Sequence, residues 1–153
     1  MEDLIMRAAY LSLFMLALLL LTFSATAGAM DSIGIIKSVS GEVYLASTET
    51  SIKAVPHMKI SQGDLIRTGP NSNVGLIFED DTVVSLGSNS ELCIEQFLFD
   101  PAAGKLAFIT KLFRGTFSFI SGQIAKLAPD QVRLETPDAT LGVRGTKFLV
   151  KID

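Results

Sequence analysis

The chain is poor in the side chains from which reactive centres are assembled. Its 153 residues include one cysteine, Cys93, and one histidine, His57. A lone cysteine closes no internal disulfide, and the pair falls short of the several Cys and His ligands that a zinc site takes. His57 stands between Pro56 and Met58, and no Gly-x-Ser-x-Gly elbow occurs to supply a partner nucleophile. It reads as a loop residue without a role. Glycine-rich phosphate cradles are missing too, and so is any basic run, which argues against nucleic acid as a partner. The composition therefore predicts a noncatalytic protein with no cofactor and no metal. Cys93, inside Leu92-Cys93-Ile94, reads as a buried small hydrophobe. The acidic trio Glu79-Asp80-Asp81 is the nearest thing to a calcium ligand set. Adjacent carboxylates in a hairpin more often keep a turn solvated and block edge pairing, and that is the reading preferred here.

Charge is also missing from one long stretch, between Arg7 and Asp31. Ala8 to Phe23 is almost wholly apolar and carries the block Leu18 to Leu21. Small residues follow, and both Ala25-Thr26-Ala27 and Ala27-Gly28-Ala29 fit the A-x-A cleavage pattern. A charged start, an apolar middle and a small-residue end predict a secretory signal. An uncleaved membrane anchor is the alternative, since roughly 20 apolar residues span a bilayer. The expected organisation is a signal peptide or anchor over residues 1–29 and one domain over 30–153, exported to the periplasm or cell envelope. About 124 residues suffice for one core. Downstream of Arg7 stand 12 basic and 14 acidic residues, so this part is close to neutral.

What is present beyond residue 30 reads as strands and turns. Short β-rich runs recur at Ile33–Val39, Glu42–Ala46, Leu65–Thr68, Val74–Phe78, Thr82–Leu86, Leu92–Phe99, Leu106–Phe113, Thr116–Ile120, Val132–Glu135 and Phe148–Ile152. Ser40-Gly41, Gly63-Asp64, Gly69-Pro70-Asn71, Gly87-Ser88-Asn89, Pro101 to Gly104, Gly122 and Pro137-Asp138 punctuate them. Alternation puts Val74, Leu76 and Phe78 on one face, likewise Leu106, Phe108, Thr110 and Leu112, and likewise Phe117 and Phe119. Leu106 to Phe113 is apolar on both faces, as in a strand buried between layers. Ser121 to Ala128 is the one helix candidate after residue 30, stopped by Pro129. Phe113-Arg114-Gly115-Thr116-Phe117 is echoed by Val143-Arg144-Gly145-Thr146-Lys147-Phe148, which reads either as equivalent turns in stacked layers or as coincidence.

The order of several short motifs resembles the FecR domain. Gly41-Glu42-Val43 comes first, then Gly63-Asp64-Leu65-Ile66-Arg67-Thr68-Gly69, then Leu76-Ile77-Phe78 leading to a turn before Thr82. Phe113-Arg114-Gly115 follows, and last come Thr136-Pro137-Asp138-Ala139 and Gly142-Val143-Arg144-Gly145-Thr146-Lys147-Phe148. The resemblance runs from about Ile33 to Val150. The family's usual turn before the threonine is Asp-Gly, whereas Asp80-Asp81 stands here, so a longer hairpin or another turn type is expected. Regulators of this family join a cytoplasmic anti-sigma region, a membrane span and a periplasmic domain. With seven residues ahead of the hydrophobic segment, a stand-alone exported domain is expected instead.

The resemblance makes Gly63, Asp64, Gly69, Arg114, Gly115, Pro137, Gly142, Arg144, Gly145 and Thr146 motif residues, read as structural. An arginine among apolar neighbours needs a partner if buried, so the fork of Arg144 is expected to tie turns together, with Gly142 and Gly145 allowing close backbone approach. The alternative is a carboxylate- or phosphate-binding arginine. Asp64 and Arg67 fall on opposite faces of a strand, so no direct pair is expected. Altogether the sequence predicts an all-β domain of about ten short strands, a twisted antiparallel sandwich or a solenoid-like roll. Its expected function is to bind an envelope protein or a polysaccharide. A structural or membrane-tethered envelope protein is the alternative, in which the N-terminal segment makes the only membrane contact.

Overall fold

The computed structural model describes residues 1–20, 31–47 and 50–153. Helix α1 covers Glu2–Leu20, and no helix among the described residues is long and apolar enough to cross a membrane. The A-x-A pattern at Ala25 to Ala29, and with it the boundary near residue 30, lies outside the described residues.

The strands are β1 (Ser32–Ser40), β2 (Val43–Ala46), β3 (Ser51–Lys53), β4 (Lys59–Ser61), β5 (Leu65–Thr68), β6 (Asn73–Phe78), β7 (Val83–Leu86), β8 (Glu91–Asp100), β9 (Lys105–Ile120), β10 (Val132–Glu135), β11 (Thr140–Gly142) and β12 (Lys147–Ile152). Helix α2, Gln123–Leu127, is the short helix foreseen near Ser121 to Ala128, and a 3-10 turn at Pro129–Gln131 follows it. The domain is all-β, as the sequence predicts.

Strand β9 organises everything else. Its first part pairs with β8, which continues through β5 and β2 to β3, and on its other side lies β10 with β11 beyond. Its last part, Gly115 to Ile120, pairs with β7, which continues through β6 and β1 to β4, and on its other side lies β12. Two sheets thus share one strand. Every pairing is antiparallel except β9 with β10, which is parallel.

The hinge between the two sheets is a bulge just before Gly115, where Phe113 is the extra residue between Leu112, opposite Leu92, and Arg114, opposite Glu91. From Phe108 to Leu112 the buried positions of β9 are even-numbered, Phe108, Thr110 and Leu112; after the bulge they are odd-numbered, Phe117 and Phe119. One extra residue reverses the parity of a strand, so both halves point inward to the same core. Gly115 has φ +94°, and a Cβ there would overlap the backbone and side chain of Ser90. The sequence had split β9 into two strands at this glycine.

Inside, Phe108 joins the sheets. Its ring centroid lies 4.7 Å from Phe78, 5.5 Å from Phe97 and 5.8 Å from Phe119. Around it are fully buried Ile36, Ile60, Ile66, Leu76, Leu86, Leu92, Ile94 and Leu112. The expectation that Leu106 to Phe113 is covered on both faces fails. Ile109 and Lys111 are half-buried and Phe113 is exposed, so this part of β9 buries one face and shows the other. The first Arg-Gly-Thr lies within β9 and the second lies between β11 and β12, so the two copies are not equivalent turns.

Candidate binding surface and the turns that frame it

The motif residues sit chiefly in turns, and most of those turns are held by buried polar side chains. Gly63 has φ +89° and occupies the third position of a turn closed by the Asp64 N–H donating to the Ser61 carbonyl at 3.2 Å. Glycine at that position is what a type II turn asks for. Asp64 is buried, and its Oδ2 accepts the Ser61 N–H at 2.8 Å. Burial pushes the Asp64 carboxyl above its ordinary 3.8, with the Ser61 hydrogen bond working partly against it. Arg67 does not pair with Asp64, as expected from the face alternation; it reaches Glu91.

A second set of turns meets at Ser90. The Thr68 hydroxyl donates to the Gly87 carbonyl at 2.6 Å and accepts the Ser90 N–H at 2.9 Å. The Ser90 hydroxyl accepts the Thr116 N–H at 3.0 Å, which pins the Gly115 bulge. Gly69 joins the same corner through its N–H to the Glu42 carbonyl at 2.8 Å and its carbonyl to the Asn89 N–H at 3.0 Å. Gly69 and Gly115 therefore belong to one polar corner.

The third knot is at Asp80, in the hairpin between β6 and β7. Asp81 has φ +65°, and its N–H donates to the Phe78 carbonyl at 3.0 Å. This is a three-residue hairpin loop whose last residue is left-handed, so Asp81 stands where glycine is the usual solution. Asp80 is fully buried. Its Oδ1 accepts the Thr82 N–H at 3.1 Å; its Oδ2 accepts the Thr82 hydroxyl at 2.7 Å and the Ile124 N–H at 3.1 Å. Gly122 lies so close that a Cβ would overlap the Asp80 carbonyl and the Thr82 N–H. The trio is thus no solvated acidic turn. Glu79 is exposed, Asp81 accepts from Gln123 at 2.9 Å, and Asp80 staples the hairpin to α2. Among the described residues no group of three or more His, Cys, Asp or Glu side chains is placed to hold a metal ion.

At the far end, Pro137 begins a turn closed by the Thr136 N–H on the Ala139 carbonyl at 2.8 Å. The reading of Arg144 as a buried tie is overturned. Its side chain is 86% exposed and its ion pair with Asp130, at 3.5 Å, is exposed as well. A Cβ at Gly142 or Gly145 would meet nothing within 4 Å among the described residues, so close packing does not explain them; Gly145 instead has φ +112°. Thr146 is tied through its backbone, its carbonyl accepting the Ser121 N–H at 2.9 Å. Arg144, Arg133, Asp130 and Thr140 line an open depression of about 340 Å³.

Arg114 is exposed too, but in company. Glu91 lies between Arg67 at 3.4 Å and Arg114 at 3.5 Å on the outer face of the sheet that holds β2, β5, β8 and the first part of β9. Beside them Ala46, Leu65, Cys93 and Phe113 line an open depression of about 300 Å³. Cys93 is half-buried and not buried as expected, and its Sγ lies 4.0 Å from the Gly63 carbonyl. Burial first, then the nearby Glu95, pushes its thiol up, which leaves it protonated and unreactive at neutral pH. His57 lies in an exposed turn with φ +69°.

Residues 64–153, more than half of the chain, match the FecR protein family. The chain belongs to the FecR family. The match opens at Asp64 and takes in the Ser90 corner, the Asp80 knot, β9 and the closing Gly-Val-Arg-Gly-Thr segment. FecR domains are regulatory sensing modules, not known as enzymes. No curated protein and no solved structure matches the chain. Of the surface groups in this FecR domain, the sequence reading singled out Arg114 and Arg144. It passed over Tyr44, Lys53 and Glu91 and took Phe113 only as a motif and strand residue; their common face depends on strand register across β3, β2, β5, β8 and β9.

Proposed function

We propose that this FecR protein is an exported, noncatalytic envelope module that recognises a partner, protein or polysaccharide, by its folded β surface. The observation that carries the reading is the match itself, laid over a scaffold in which motif residues frame turns and the outer strand faces stay open. Export is supported by the uncharged apolar run from Ala8 to Phe23 and the small residues after it. The experiment is fractionation of cells expressing the chain with its own N-terminus. Recovery from the periplasmic or envelope fraction is expected. If the segment is cleaved, the protein starts at Gly28 or Met30; if it anchors, Met1 is intact in the membrane fraction. Recovery from the cytoplasm with Met1 intact would sink the proposal.

A further inference from the structure

The outer face that carries Arg114 is more than one ion pair. Register aligns Lys53, Tyr44, Arg67, Glu91 and Arg114 across β3, β2, β5, β8 and β9. At about 4.8 Å between strands the row runs about 19 Å. One step along the strands, Lys111 lies opposite Cys93, with its Nζ 5.5 Å from the centre of the exposed Phe113 ring. Arg133 follows on β10, opposite Ile109.

Charge is distributed unevenly. Among the described residues this face carries the five cations Lys53, Arg67, Lys111, Arg114 and Arg133 against Glu91, Glu95 and Glu135, with Glu42 at its rim beside Gly69. The chain as a whole is net negative at −3. Glu91 does not cancel the guanidiniums beside it. It takes one nitrogen from each, and the Arg67 and Arg114 side chains remain 50% and 60% exposed. An arginine has five N–H donors in a planar fork, so both forks keep donors for a carboxylate.

We propose that this face binds a carboxylate-bearing polysaccharide. Sugar rings lie over Tyr44, Phe113 and the apolar depression between Leu65 and Cys93, and carboxylates of the polymer meet Arg67 and Arg114. A peptide strand is the poorer fit. Strands β5, β8 and β9 have hydrogen-bonded neighbours on both sides here, so they offer no free backbone groups for strand addition. A polymer read by side chains alone needs none. This inference rests on the binding-module reading and names its partner class and place.

The test uses the full chain in a non-ionic detergent, titrated calorimetrically with alginate oligomers, with neutral dextran oligomers of the same length, and with poly-glutamate. Alginate is expected to bind, to weaken as salt is raised, and to bind more tightly than either control. Replacing both arginines, R67Q with R114Q, is expected to lower alginate affinity about tenfold or more, with far-UV circular dichroism unchanged. Exchanging Lys59 and Lys151 of the other sheet for Gln is expected to change it less than about twofold. If the double arginine variant unfolds, Phe113→Ala replaces it and should lose affinity with the fold intact. The proposal is overturned by dextran binding equal to alginate, by indifference to these variants, or by failure of alginate to bind at low salt. Tighter binding of poly-glutamate overturns it in favour of an acidic protein. Alginate binding by a chain that stays in the cytoplasm would overturn the export proposal alone; an exported chain that ignores alginate would overturn this one alone.

Discussion

Asp80 ties the hairpin to α2 more firmly than its place in a run of three acidic residues indicates. Three donors converge on its carboxylate, two from Thr82 and one from Ile124, and the residue is fully buried. Alanine at this position would strand all three, and a buried donor without an acceptor costs about 1–3 kcal/mol. Asp80→Ala is therefore expected to lower the unfolding free energy by about 3 kcal/mol, read from urea denaturation. A change within about 0.5 kcal/mol, the ordinary surface range, would show that the staple is dispensable. Asp64 is a different case, because its burial raises the carboxyl above 3.8. A raised carboxyl disfavours the charged form in the fold, so ionised Asp64 lowers stability at neutral pH. As pH falls through the folded value toward 3.8, the folded chain takes up the proton first and the loss disappears. Asp64→Asn keeps an oxygen for the Ser61 N–H. It is expected to be more stable than the parent at pH 7, with the gap closing by pH 3. Urea midpoints at the two pH values measure this, and a gap that widens on acidification would contradict it.

At the scale of the element, β9 is where local pattern and tertiary structure diverge. Its two alternating runs were legible, with Phe108, Thr110 and Leu112 in one and Phe117 and Phe119 in the other. That they form one strand was not, because glycine with positive φ reads as a turn unless a neighbour supplies the close contact. Ser90 supplies it, and Ser90 is twenty-five residues away in sequence. Gly115→Ala sets a Cβ against the Ser90 backbone and forces a side chain onto φ +94°. The expected loss is about 3 kcal/mol or more, since strain and overlap add. A thermal midpoint equal to that of the parent would mean the bulge relaxes without cost. The strands that sequence missed have a common cause. All three residues of β3 and of β11 are exposed, and β4 buries only Ile60. They exist because an existing edge offers hydrogen bonds, as β10 does to β11, and no alternation announces such strands. Asp81 belongs here as well, since the turn type follows from its left-handed backbone while the letters Asp-Asp name none.

For the molecule as a whole, hydrophobic alternation was enough to give an all-β domain and most of its core, while the pairing of two sheets through one strand was not. Long-range register carries no local signature, and the cationic face of Arg67 and Arg114 is a product of that register. Arg144 shows the converse error. Its motif neighbours are apolar by sequence, yet Val143 alone turns inward and the guanidinium faces solvent beside Asp130. The shared strand has a consequence for cooperativity. Phe108 touches Phe97 from one sheet and Phe78 and Phe119 from the other, so its ring is where the two halves of the core meet. Phe108→Ala is expected to lower stability by about 4 kcal/mol, the middle of the range for a buried aromatic. If the sheets unfold as one unit, amide exchange should accelerate together at Leu76 in β6 and Ile94 in β8, both fully buried. Acceleration confined to one of the two would mean that β9 joins two separately folding sheets, and that the Gly115 bulge links them without coupling them.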